Sequence, residues 1–151
     1  MTTYSIEDLA AQPIGFWSGE AYRRIAEALR ESLAANGLSQ PQWWALGRLE
    51  DTSREWSRQL LIDELTPYSA AEEGREVGQE LDGLVAVGWA SASGDTLTIT
   101  PEGLERLKLA QRRNGETHQK TREGVSDAEY AGAIDVLRRM VGNLGGDSQL
   151  R

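Results

Sequence analysis

The 151-residue sequence predicts a mainly α-helical protein that carries one short β-hairpin. Apolar residues recur every three or four positions in several segments, which is the spacing of an amphipathic helix. Four segments open with Ser or Thr followed three residues later by Glu or Gln, the sequence signature of a capped helix start. One stretch, GDTLTITPEG at residues 94–103, combines a tight turn, an alternating strand and another helix start.

The composition is typical of a soluble globular chain, with 39% hydrophobic and 26% charged residues. No apolar run reaches the roughly 20 residues that span a membrane, and the first residues lack the basic and apolar regions of a signal peptide. We therefore expect a cytoplasmic protein without a membrane segment. Because the sequence has no cysteine and a single histidine, His118, we expect no disulfide and no metal site. No residue spacing indicates a nucleophile or a phosphate loop, so we expect neither an enzyme nor a bound cofactor.

Helix signals divide the first half of the chain into four predicted helices. The first is predicted at residues 19–35, where the apolar stripe ends at an Asn-Gly pair. The next three begin at capping boxes and are predicted at residues 39–51, 52–65 and 69–88. Residues 65–68 are predicted to form a turn, because their proline disfavours the helical conformation of the residue before it.

A β-hairpin follows the fourth predicted helix. Gly94 opens its two-residue turn and tolerates the positive φ that such turns require. Leu97 and Ile99 then alternate with threonines, which is the pattern of a half-buried strand. Thr100 is predicted to cap a fifth helix whose first residue is Pro101, where the missing N–H leaves no hydrogen bond unmade.

Two helices are predicted in the last third of the chain. The polar run at residues 111–123 is either a solvent-exposed continuation of the fifth helix or a frayed connector. A capping box at Ser126 opens the last helix, whose apolar residues follow at alternating steps of four and three, a heptad-type seam. Residues 145–151 are predicted to be a loose tail. At the other end, residues 3–13 form either an arm that crosses a partner subunit or a disordered segment.

Three helices and a hairpin between amphipathic terminal helices describe a winged helix-turn-helix with a two-stranded wing and dimerisation helices at both ends. Three segments resemble the MarR family of bacterial transcription regulators: GLSQPQWWALGRL, LDGLVAVGW and LTITPEG. The resemblance covers about residues 16–145. It implies a homodimer joined through the first and last helices, DNA read by the fourth helix and the wing, and often a small aromatic ligand between these regions. We expect one domain over residues 1–151, with dimerisation arms at 16–36 and 124–145 and a winged-helix core at 39–110.

The terminal helices carry apolar stripes that one small winged core would have difficulty burying. A fully buried Leu or Ile side chain stabilises by about 1.5–3 kcal/mol, so these stripes favour a second copy of the chain as partner. The alternative is that both helices pack back on their own domain. The predicted dimer interface consists of Tyr22, Ile25, Leu29, Tyr130, Ile134, Leu137, Val141 and Leu144.

Charge is the feature in which this sequence departs from the family pattern. The net charge is −8, and residues 76–105, which hold most of the fourth predicted helix and the wing, contain no Lys or Arg. DNA affinity depends on cations that neutralise phosphates, so contact must come from a few neighbouring residues. The candidate DNA-binding residues are Arg48, Arg54, Arg58, Ser69, Arg75 and Gln79.

The arginines among these candidates admit two interpretations. Arg54 and Arg58 are expected one turn apart on the outer face of the third helix, where they could contact a DNA backbone. Alternatively, the arginines are solvated or paired with the nearby carboxylates of Glu50, Asp51 and Glu55.

Aromatic residues indicate a second candidate site, at the junction between the dimerisation arms and the winged core. A flat hydrophobic ligand could stack there on Trp17, Tyr22, Trp43, Trp44 and Trp56. The alternative is that these side chains only fill the core. The sequence therefore predicts a dimeric DNA-binding transcription regulator that responds to a small aromatic ligand. The alternative function is a winged-helix dimer that binds a small molecule or a protein but not DNA.

Overall fold

The structure is a computed structural model that describes residues 4–69 and 76–149. The chain divides into two compact units, residues 1–115 and residues 116–151. In order along the chain, the elements are α1 (Ile6–Ala10), α2 (Ile14–Ala34), α3 (Gln40–Leu49), β1 (Trp56–Ser57), α4 (Arg58–Ser69), α5 (Val77–Ala86), β2 (Ala90–Ser93), β3 (Thr96–Ile99), α6 (Pro101–Thr121) and α7 (Asp127–Asn143).

Two of the predicted capping boxes form as expected, at the starts of α3 and α7. Ser39 Oγ accepts a hydrogen bond from the Gln42 amide (3.2 Å), and Gln42 Oε1 accepts one from the Ser39 amide (3.1 Å). Ser126 and Glu129 make the same reciprocal pair at 3.3 and 2.8 Å. Each pair satisfies two amides that a helix start leaves without an intrahelical partner.

The N-terminal segment is more helical than predicted. α2 begins at Ile14, with Pro13 as its N-cap residue, and not at Gly19. The short helix α1 precedes it and has a capping box of its own. The Asp8 amide donates to Ser5 Oγ (3.1 Å), and the Ser5 amide donates to Asp8 Oδ2 (3.2 Å). The sequence signal was missed because Asp stands here in place of the usual Glu or Gln.

The capping box predicted at Thr52 is wrong. Trp56 and Ser57 form the short strand β1, and α4 begins only after it. The Leu60 amide donates to the Ser57 hydroxyl (3.1 Å), so Ser57 supplies the cap. Trp56 is extended because it pairs with Leu97 of β3, and its side chain is buried there.

The turn predicted at residues 65–68 is also wrong, because α4 continues to Ser69. Pro67 lies in the last turn of α4, where its missing N–H removes a single backbone hydrogen bond. Leu65 is buried in the core, and this packing outweighs the local preference against helix before a proline. Ser69 therefore ends α4 instead of starting the next helix, which begins at Val77.

The predicted two-stranded wing is part of a three-stranded antiparallel sheet of order β1-β3-β2. Leu97 of β3 lies opposite Trp56 on one side and Ala92 on the other. The hairpin turn forms as predicted, with Gly94 at φ +59°. Because β3 is the central strand, the buried Leu97 side chain anchors the sheet to the core.

The hydrophobic core of the first unit lies where α3, α4, α5, α6 and the sheet meet the end of α2. Burying each leucine contributes about 1.5–3 kcal/mol, so this cluster is the main source of stability for the winged part. The core consists of Leu33, Leu38, Ala45, Leu46, Leu49, Trp56, Leu61, Leu65, Val77, Leu81, Leu84, Ala90, Leu97, Leu107 and Ala110.

The base of the hairpin is tied directly to the start of α6. The Thr100 amide donates to Trp89 O (3.1 Å), and the Thr100 hydroxyl donates to Gly88 O (2.7 Å). The same hydroxyl accepts from the Gly103 amide (3.1 Å), which confirms Thr100 as the predicted cap. A Cβ atom at position 103 would lie 1.9 Å from Trp89 O, so only glycine fits there.

Residues 111–121 of the polar run form the largely solvent-exposed end of α6. The predicted loose tail is wrong for its described part, residues 145–149. Arg138 Nε donates to Ser148 O (2.9 Å), and the Gly146 amide donates to Val141 O (3.0 Å). The tail therefore folds back on α7.

Candidate functional site

A cavity of about 300 Å³ opens between α2, α3 and α4 in the first unit. The α2 residues on its wall repeat every three or four positions, so they form one face of that helix. The first and fifth residues of α3 and the second-last residue of α4 complete the lining. The lining residues are Tyr22, Ile25, Ala26, Leu29, Arg30, Gln40, Trp44 and Tyr68.

The walls of the cavity carry three aromatic side chains and one cationic side chain. The Trp44 and Tyr68 rings meet edge to face, with centroids 6.1 Å apart and planes inclined at 65°. Tyr22 contributes a third aromatic ring from α2. Arg30 is exposed and has no ion-pair partner among the described residues. A planar ring with an acidic group would find complementary contacts on these walls.

The structure brings together two of the five predicted aromatic residues, Tyr22 and Trp44. Trp43 is partly buried against the core, and Trp56 is buried in β1, where its Nε1 donates to Asp51 O (3.0 Å). Trp17 lies near the start of α2 with its side chain 60% exposed. None of these three residues lines the cavity.

Sequence reasoning missed Arg30, Gln40 and Tyr68 as cavity residues. Helical spacing could have indicated Gln40, which precedes Trp44 by one turn at the start of α3. Tyr68 was assigned to a turn, and only the continuation of α4 places its ring opposite Trp44.

The arginines near the predicted DNA-binding helices are paired with carboxylates. Glu64 of α4 lies between two of them, with Oε2 3.3 Å from Arg48 Nε and Oε1 3.5 Å from Arg54 Nη1. Arg54 also stacks on the Trp56 ring at 4.1 Å. Arg54 precedes β1, so the prediction that it lies one helical turn from Arg58 is wrong.

Arg58 is the third paired arginine. Its Nη2 lies 3.0 Å from Asp82 Oδ2 and 3.1 Å from Gly78 O, both on α5. The arginines are thus paired as one alternative predicted, but with Glu64 and Asp82 instead of Glu50, Asp51 and Glu55.

The remaining DNA-binding candidates occupy different places. Gln79 is exposed on α5, one turn before the exposed Asp82. Ser69 is the last residue of α4. Arg75 lies outside the described residues, as does Glu72, the predicted capping partner of Ser69.

Each terminal helix exposes apolar side chains. On α2 these include the predicted interface residues Tyr22 and Ile25, 66% and 48% exposed, whereas Leu29 is partly buried against the core. On α7 no residue is buried. Its exposed apolar side chains are Ile134, Val136, Leu137, Met140 and Val141, followed by Leu144 at its end. The remaining predicted interface residue, Tyr130, contacts His118 and Arg122 within the second unit.

Among residues 4–69 and 76–149, no three His, Asp or Glu side chains are grouped closely enough to hold a metal ion. None of the helices in this part of the chain combines the length and the hydropathy that crossing a bilayer requires.

Solved structures that superpose on this chain include transcriptional regulators. A MarR family transcriptional regulator from Silicibacter pomeroyi superposes with a TM-score of 0.66 at 18% identity, covering 93% of this chain and 99% of that one. The reduced form of MarR from E. coli superposes with a TM-score of 0.64 at 18% identity, covering 86% and 94%. The chain has a MarR-type winged-helix fold.

A third match is BpsR of Bordetella bronchiseptica, whose DNA binding is regulated by 6-hydroxynicotinic acid. It superposes with a TM-score of 0.62 at 20% identity, covering 92% of this chain and 97% of that one. No protein-family profile matches the sequence, and no curated protein matches it either.

The MarR-type fold confirms the predicted fold class and assigns the elements. The hairpin β2–β3 is the wing, and α5 corresponds to the fourth predicted helix, the one that the resemblance assigns to DNA recognition. The exposed face of α5 carries Gln79, Asp82 and Ala86, with Arg58 laid across it. That face therefore presents an arginine that is paired with a carboxylate.

Proposed function

We propose that the protein is a transcription regulator that binds double-stranded DNA as a homodimer in the cytoplasm and responds to a small aromatic acid. The observation that carries this proposal is the cavity between α2, α3 and α4. Its walls belong both to a helix with an exposed apolar face and to two helices of the winged core. A ligand in this cavity would contact both parts of the protein at once.

The ligand chemistry follows from the cavity walls. Aromatic faces from Tyr22, Trp44 and Tyr68 suit a flat ring, and the volume of about 300 Å³ suits a molecule of one or two rings. The guanidinium of Arg30, which has no ion-pair partner within residues 4–69 and 76–149, suits a carboxylate, which it can bind at two points. The ligand class is therefore an aromatic carboxylic acid.

Helix α4 offers a route from the cavity to the DNA-facing side. Tyr68, near its end, lines the cavity, whereas Arg58, at its start, lies on α5. A ligand changes DNA affinity only if it binds two arrangements of the protein with different affinity. A small shift of α4 that depends on ligand would meet this requirement.

Binding of the acid is tested by tryptophan fluorescence and thermal unfolding, with benzoate and 6-hydroxynicotinic acid as probes. We expect saturable quenching and a higher melting temperature, because a ligand that binds only the folded state stabilises it. Arg30→Gln should weaken benzoate binding and leave binding of the neutral analogue benzamide unchanged. Trp17→Phe is the matched control, since Trp17 does not line the cavity. Failure of a broad panel of aromatic acids to bind would contradict the ligand proposal.

DNA binding is tested by fluorescence anisotropy across a salt series, with the protein's own promoter region and a random duplex. The four candidate arginines of each subunit limit the number of phosphates that a dimer can neutralise. At roughly −0.9 per neutralised phosphate, the slope of log K against log salt should be no steeper than about −7. Arg54→Ala and Arg75→Ala should each reduce that slope by about two per dimer. Arg112→Ala, on the exposed side of α6, should leave it unchanged. A steep slope that is insensitive to Arg54 and Arg75 would show that other cations contact the DNA.

A second function is favoured by the charge of α5 and the wing. Residues 76–105 contain no Lys or Arg, and Arg58, which lies against them, is paired with Asp82. These observations suit a dimer that binds a small molecule or a protein and not DNA. Ligand binding without any DNA binding at low salt would identify this second function.

A further inference from the structure

The Arg58 side chain reaches from the start of α4 to the outer surface of α5, where two residues of α5 bind its guanidinium. Its Nη2 lies 3.1 and 3.0 Å from the two carboxylate oxygens of Asp82, and its Nε lies 3.3 Å from Asp82 Oδ1. Its Nη2 also donates to Gly78 O (3.1 Å). The Nε–Nη2 edge of the guanidinium can hold two oxygens of a phosphate, and here it faces a carboxylate instead.

Position 78 provides the space for this crossing. A Cβ atom at Gly78 would lie 3.0 Å from Arg58 Nη2, closer than nine in ten such contacts. α5 therefore contributes one residue that leaves room for the guanidinium and a second, Asp82, one turn later, that binds it. Gly78 and Asp82 thus accommodate Arg58 in particular, and general acidic charge on α5 would not require this pairing.

Asp82 is also the accessible partner of the pair. Its side chain is 68% exposed, and that of Arg58 is 39% exposed. Asp82 lies between Gln79 and Ala86 on the face of α5 that would enter the major groove. A DNA phosphate near this face would meet Arg58 with its two-point edge already occupied by an intramolecular anion.

We propose that Asp82 acts as an internal substitute for a DNA phosphate on Arg58 and thereby limits DNA affinity until the pair opens. The inference rests on the proposed DNA-binding function. A carboxylate and a phosphate compete directly, because each presents two anionic oxygens to the same guanidinium edge. Since the pair is solvent-exposed, opening it costs little and the competition is reversible.

The test is a double-mutant cycle on DNA affinity, with wild type, Asp82→Asn, Arg58→Ala and the double variant. In the presence of Arg58, Asp82→Asn should raise the affinity for a random duplex at low salt about tenfold and steepen the salt slope by about two per dimer. In the Arg58→Ala background, the same change should give only the small gain that follows from one less carboxylate. Circular dichroism establishes that all four proteins are folded.

Asp63→Asn is the matched control for charge. Asp63 is an exposed residue of α4 whose carboxylate accepts from Gln59 Nε2 (2.8 Å) and has no cation partner among the described residues. Its substitution removes the same charge without releasing an arginine. The gain should therefore equal the small gain seen in the Arg58→Ala background.

The outcomes separate this inference from the function on which it rests. Equal gains from Asp82→Asn with and without Arg58 would overturn the inference and leave DNA binding established. Weaker binding by Asp82→Asn would also overturn it, because Asp82 would then orient Arg58 toward DNA. If only Asp82→Asn binds DNA, the inference is supported and the wild-type chain is not a DNA binder. If no variant binds at low salt, both the function and the inference are wrong.

Discussion

The winged core and the terminal helices use their apolar residues differently. Every core element from α3 to the start of α6 buries side chains against its neighbours. α2, by contrast, has only Leu33 buried among its described residues, and α7 has none. The core is therefore formed within one chain, whereas the apolar faces of the terminal helices are exposed in that chain. In sequence the two kinds of helix look alike, because both show apolar residues at helical spacing.

The largest expected effect is on folding of the winged core. Leu84→Ala should destabilise the protein by about 2–5 kcal/mol, because it leaves a cavity at a fully buried position. Val87→Ala, at a residue that is 58% exposed and outside the predicted dimer interface, should change stability by less than about 0.5 kcal/mol. Chemical denaturation measures both. Similar losses for the two variants would show that Val87 is buried in the native assembly.

The next largest expected effect is on the proposed assembly of two chains through α7. Leu137→Asp with Val141→Asp should convert the dimer to a monomer, since uncompensated charge is costly in an apolar interface. Sedimentation measures the change. Val136→Asp is the matched control, because Val136 is equally exposed on α7 but lies outside the heptad seam. A folded, dimeric double variant would place the interface elsewhere.

A smaller difference separates two equivalent helix caps. Ser126→Ala should destabilise by about 1 kcal/mol, as is typical for the loss of a serine cap. Ser39→Ala should destabilise by more, because Ser39 Oγ also donates to Glu80 Oε2 (2.9 Å) across to α5. Thermal unfolding of the two variants, at equal protein concentration, checks this order. The reverse order would show that the tie to α5 contributes nothing.

The smallest effect is a pH dependence in α7. Hydrogen bonds from the Ser126 hydroxyl and amide lower the pKa of Glu129 below its ordinary value of 4.5. A carboxylate with a lowered pKa stabilises the folded state above its unfolded pKa, and that stability is lost as pH falls through the folded pKa. The difference in melting temperature between wild type and Glu129→Gln should therefore shrink as the pH falls from neutral to well below 4.5. A difference that is constant over this range would contradict it.

The sequence predicted those elements whose signals are local. The box at Ser39, the turn at Gly94 and the cap at Thr100 each depend on residues within three or four positions, and all three form. Trp56 was misassigned because its partner in the sheet, Leu97, lies far away in sequence. Pro67 was misassigned for the related reason that tertiary packing at Leu65 outweighs a local preference.

The candidate sites were harder to predict than the fold, since side-chain partners depend on the assembled structure. The ion pair of Arg58 joins residues 24 positions apart, and no local pattern indicates it. The cavity likewise needs α2, α3 and α4 in place before Arg30 and Trp44 share a wall. Residue types alone indicated a scarcity of cations at residues 76–105, whereas the aromatic ligand site stays a prediction.

The hydrogen bonds that Thr100 makes at the base of the hairpin have a mechanical consequence. Both strands of the wing end at the same point, where Gly88, Trp89, Thr100 and Gly103 are joined by hydrogen bonds and close backbone contact. The tip of the wing is also held, because the Arg58 amide donates to Asp95 O (2.8 Å) and Ser57 of β1 pairs with Thr96. A load applied at Asp95 therefore passes into the start of α4 as well as into the first turn of α6 and the last turn of α5.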